Sequence, residues 1–92
     1  MLTEQQLNHM NDKIDRFRYH LKLNHDSLEF EEKMLDDTLK RYGDELEVNG
    51  GYKLHVDVIK KAIKERKAEI ERLAIELTRH EVALKKNEYI DD

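Results

Sequence analysis

Leu7, Ile14, Leu21, Leu28, Leu35 and Tyr42 stand seven residues apart along the first half of the chain, and Met10 and Phe17 fill the intermediate position of the same heptads. This repeat restricts the fold more than anything else in the sequence, because a sustained 3.5-residue apolar period is the seam of a left-handed coiled coil. The second half repeats it, with Val56, Ile63, Ile70, Leu77 and Leu84 at one seam position and Ile59 and Leu73 at the other. Each seam also holds polar members: Asn24, Glu31 and Thr38 in the first helix, Arg66 and His80 in the second. Such residues set register and partner number at some cost in stability.

The boundaries of the helices follow from their punctuation. Thr3 is placed to cap the first turn, with Gln6 three residues on able to reach back to it, and Gly43 offers a C-terminal stop. Helix 1 is therefore expected over about 4–42 and helix 2 over about 57–90, within a single domain of residues 1–92. Asn24-His25-Asp26-Ser27 is a run that turns more readily than it propagates a helix, but the heptad phase passes from Leu21 to Leu28 without slipping, so helix 1 reads as continuous. Composition agrees. In 92 residues, 41% are charged and 38% hydrophobic with no proline, which suits long solvated helices with narrow apolar seams.

Folding one helix back on the other pairs Phe17 with His80, Asn24 with Leu73 and Glu31 with Arg66, residue numbers that sum to 97. A carboxylate in a seam is costly when unpaired, so an arginine at the facing position supports this register. Charge supports it independently. Residues 26–47 hold nine acids and three bases, a net of −6, and residues 53–72 hold seven bases and four acids, a net of +3. The antiparallel alignment lays these stretches side by side.

Between the helices lies EVNGGYKLHV, residues 47–56, with two of the three glycines in the chain. A three-residue loop of Asn49-Gly50-Gly51 would pair Val48 with Tyr52 and Leu46 with Leu54 on one face and Glu47 with Lys53 on the other. The expectation over about 44–56 is thus a short β-hairpin or structured loop whose apolar tip residues are Leu46, Val48, Tyr52 and Leu54. In the order of its elements the chain resembles the β-type subunits of prefoldin, where two coiled-coil helices flank short strands that join subunits. That resemblance covers element order alone and implies strands at the tip; it assigns no residue a role.

Subtracting the seam leaves a second apolar stripe on each helix. Tyr19, Leu23, Phe30 and Met34 are spaced by four, seven and four; Ala68, Ile75, Val82 and Tyr89 recur every seven residues on the face opposite the seam. A helix apolar on two sides is usually buried on two sides. The expected partner-binding residues are Tyr19, Leu23, Phe30, Met34, Ile75, Val82 and Tyr89, and the expected assembly is a dimer or higher oligomer in which hairpins pack into a helical bundle.

Catalytic chemistry finds little purchase. The five histidines form no HExxH motif and no three-ligand cluster, and His25 with Glu29 is a pairing that a helix so rich in charge produces by chance. Ser27 is the only serine, there is no cysteine, no glycine-rich phosphate loop occurs, and Asp36-Asp37 lies on a helix. No catalytic, cofactor or metal residues are assigned. The expectation is a non-enzymatic protein–protein interaction module acting through coiled-coil surfaces, as an assembly factor, adaptor, chaperone or inhibitor. The alternative is a nucleic-acid-related regulator, using Lys60-Lys61, Lys64 and Arg66-Lys67 for backbone contact or the acidic face of helix 1 as a decoy. Asp57, Glu65, Glu69 and Glu71 interrupt that basic run, which disfavours nucleic acid, as does the net charge of −4. MLTEQQLNHMNDK lacks the basic start and apolar run of a leader, and no stretch nears the roughly 20 apolar residues of a membrane span, so a cytoplasmic protein is expected.

Overall fold

The structure, a computed structural model, describes residues 1–45 and 50–91. It is mainly helical: α1 runs over Glu4–Tyr42, a 3-10 turn over Gly43–Glu45, and α2 over Gly50–Lys85. The chain divides into two compact units, Met1–Leu23 with Ile70–Asp92 and Asn24–Glu69, here called unit 1 and unit 2. Within each unit the two helices pack against each other in opposite directions, burying the seam side of each.

In unit 1 the buried residues are Met10, Ile14, Leu73, Ala83 and His80. The rings of Phe17 and His80 lie 5.1 Å apart, as the register requires, and Arg18 approaches Glu81 at 3.7 Å on the rim. In unit 2 the buried residues are Val56, Ile59, Ile63 and Glu31. There the α1 seam is thinly covered, for Leu28 and Leu35 are only half-buried.

The start of α1 is built as its sequence suggests. The Gln6 backbone N–H donates to Thr3 Oγ1 and the Thr3 N–H to Gln6 Oε1, each at 3.1 Å, so two amides that a helix start leaves free find acceptors. α1 also continues through Asn24–Ser27, where the packed seam outweighs the residues' preference for turns.

Four expectations are corrected. No strand occurs among the described residues, so the β-hairpin is replaced by a helix start: Tyr52 and Leu54 belong to α2, which begins at Gly50 rather than Asp57. Leu46 and Val48, with Glu47 and Asn49, lie outside the described residues. The physical reason is that Tyr52 extends the series Ile59, Arg66, Leu73, His80 back by one heptad, and its ring stacks on Tyr42 at 4.3 Å with 15° between the planes. Two glycines cost little at a helix start, where few intrahelical bonds depend on them. Second, α1 ends at Tyr42 and Gly43 marks the stop as expected, but not by the left-handed conformation usual for such a glycine: no described glycine has positive φ, and the backbone tightens into a 3-10 turn instead.

Third, α2 ends at Lys85 rather than near residue 90. Asn87 adopts the left-handed conformation with φ 56°, and the Glu88 and Asn87 amides return to the carbonyls of Ala83 (2.8 Å) and Leu84 (3.2 Å). This is a Schellman stop with asparagine where glycine is usual. Fourth, Leu7 is 40% exposed although it continues the seam, because α2 stops before reaching its level.

Candidate functional site

The described residues offer two kinds of candidate feature: a polar cluster inside each unit's seam, and apolar side chains left outside it. In unit 2, Arg66 Nε donates to Glu31 Oε1 at 2.9 Å and Arg66 Nη1 donates to Asn24 Oδ1 at 3.0 Å. The planar guanidinium thus spans two turns of α1. Glu31 is buried, and its second oxygen, Oε2, is buried without a hydrogen-bond partner. The register placed Arg66 against Glu31; it set Asn24 against Leu73 and so missed the third member, which an arginine's reach and five donors could have suggested.

In unit 1, His80 is 1% exposed. Its Nδ1 donates to the Glu76 backbone carbonyl at 2.7 Å, which fixes the tautomer because a carbonyl only accepts; Nε2 is buried with no partner, and the ring lies 5.1 Å from that of Phe17. An imidazole held in this way packs as an aromatic core residue. Among the described residues, no three His, Asp or Glu side chains gather as a metal ion would need.

Outside the seams, the apolar stripes stand in solvent. In unit 1, Tyr19 and Leu23 on α1 and Ile75 and Val82 on α2 are all exposed, Tyr19 and Ile75 by about 60%. In unit 2, Phe30 on α1 is 67% exposed and Met34 half-buried, while Leu54 and Val58 on α2 are 65% and 59% exposed. Val58 was not foreseen; it lies four residues from Leu54, the spacing that sets two side chains on one helix face. Tyr89 does not share the outer face of α2. The reversal at Asn87 turns it back, half-buried, to lie 6.0 Å from the His9 ring, so it is removed from the outer stripe.

A shallow groove of about 410 Å³ runs along α1 in unit 2, lined by Phe30, Met34, Thr38 and Tyr42 with Lys33, Asp37 and Arg41 at its edges. Unit 1 has one of about 420 Å³ between Ile14, Arg18, Glu81 and Val82. The surface charge around the first groove is largely unpaired. Asp36 binds Lys40 at 2.8 Å, and that hydrogen bond, with the Asp36 charge and then that of Asp37, raises the Lys40 pKa. By contrast Glu29, Glu32 and Asp37 on α1, and Lys60, Lys61, Lys64 and Lys67 on α2, have no ion-pair partner among the described residues.

Comparison with protein-family models, with curated proteins and with solved structures finds no match. No helix among the described residues is long and apolar enough to cross a membrane.

Proposed function

We propose that the protein is a non-enzymatic interaction module, an adaptor, assembly factor, chaperone or inhibitor that works by offering apolar helix faces to other polypeptides. The observation that carries this reading is the exposure of large apolar side chains at helical spacing outside the seam, above all Ile75 and Val82, one heptad apart on α2. Scattered surface leucines need no explanation, but apolar residues repeated along one face mark partner sites. Glutamate at both positions should abolish capture of protein partners from the native cell while far-UV circular dichroism stays helical. Loss of helicity would make these residues core, and undiminished capture would move the binding face elsewhere.

A second reading, contact with a nucleic-acid backbone, is favoured by one observation: Lys60, Lys61, Lys64 and Lys67 are exposed and lack ion-pair partners among the described residues. Affinity for a labelled duplex would then fall steeply with salt, and absence of binding at low salt would eliminate it.

A further inference from the structure

We infer that the surface of unit 2 is covered by a second copy of this chain, the α1 groove of each copy receiving Leu54 and Val58 from the α2 of the other. The inference rests on the interaction reading above and names its partner for this face.

Two observations carry it. The first is level. In unit 2 Tyr52 stacks on Tyr42, and Arg66 binds Glu31 and Asn24, so α2 from Tyr52 to Arg66 runs alongside α1 from Tyr42 back to Glu31. Leu54 and Val58 therefore stand at the height of the groove between Phe30 and Tyr42, yet on their own chain they point to solvent rather than into it. A copy related by a two-fold axis parallel to the helices brings the same two residues to the same height on the groove side. The contact is then made twice, as a closed, isologous dimer requires.

The second is charge. Asn24–Glu45 carries eight acids and three bases, a net of −5, whereas residues 50–69 carry six bases and three acids, a net of +3. Among the described residues Glu31 and Arg66 form an ion pair between the two helices of this unit, while both signs stand exposed around the groove and around Leu54 and Val58. Setting α1 on a partner's α1 would oppose −5 to −5; setting α1 on a partner's α2 alternates acidic and basic helices. The signs choose the second arrangement.

Sedimentation equilibrium of the full chain tests the inference. The wild type should be dimeric at low salt, with its dissociation constant rising about tenfold or more as salt screens the flanking charges. Val58→Glu should be monomeric with unchanged helicity. Glu29→Lys with Asp37→Lys should dissociate the dimer, and so should Lys61→Glu with Lys64→Glu; mixing these two double variants should restore a heterodimer, because both contacts regain opposite signs. A monomeric wild type, a dimer indifferent to Val58→Glu, or a mixture that stays monomeric would overturn it. A monomeric wild type whose lysine variant loses duplex binding would assign the surface to nucleic acid instead. Failure here, with Ile75 and Val82 still required for capture of another protein, would leave the proposed function standing.

Discussion

Arg66 and Glu31 show how much one pair decides. Removing the arginine alone, as in Arg66→Met, strands a buried carboxylate whose Oε2 already lacks a partner, and unfolding free energy should fall by about 3 kcal/mol, near the low end for breaking a buried pair because Arg66 keeps some solvent contact. Replacing both residues by leucine should recover most of that loss in urea titrations, since an apolar pair fills the seam without desolvating charge. His80 offers the complementary case. His80→Leu removes a buried nitrogen without a partner and should leave the melting temperature unchanged or raised, whereas His80→Ala opens a cavity beside Phe17 and should lower it by an amount equivalent to about 2–3 kcal/mol. Glu31 and Arg66 were legible because seam positions are counted from sequence. The bond to Asn24 was not, since it depends on how far a side chain reaches along the neighbouring helix.

At the scale of the element, ends were harder to read than middles. The Thr3–Gln6 cap was visible as a four-residue pattern and forms as expected, so Thr3→Ala should cost about 1 kcal/mol and speed hydrogen exchange in the first turn of α1. The start of α2 was misjudged because Asn49-Gly50-Gly51 is a strong turn signal over three residues. Tyr52, one heptad before Ile59, was the weaker but correct signal, and only packing against Tyr42 reveals its weight. The end of α2 was misjudged for the opposite reason. Ile75, Val82 and Tyr89 keep the period, while the stop depends on a lone asparagine taking a positive φ. Asn87→Ala should cost about 1 kcal/mol, the strain of a side chain ill suited to the left-handed region, and should loosen Tyr89 from His9.

At the scale of the whole molecule, helical class and the pairing of the two helices were legible, because both depend on a period repeated many times rather than on any single residue. The placement of Tyr19, Leu23, Phe30, Ile75 and Val82 outside the seam was legible for the same reason. What periodicity cannot supply is the occupant of those faces, since an apolar stripe looks alike whether it awaits a second copy or a different protein. For unit 2, the level of Leu54 and Val58 and the opposite charge of the two helices favour a second copy.

A seam repeated every seven residues has one further property: it fits itself at more than one offset. Slide α2 by a heptad in one direction and Glu31 meets Ile59; slide it in the other and Arg66 meets Thr38. The apolar layers are nearly as content as before, but Glu31 has lost its counter-ion. The polar cluster of unit 2 therefore works as a vernier, distinguishing alignments that leucines and isoleucines alone would leave almost degenerate, and a variant with both charges replaced by leucine should refold through slow, off-register species even as its equilibrium stability holds.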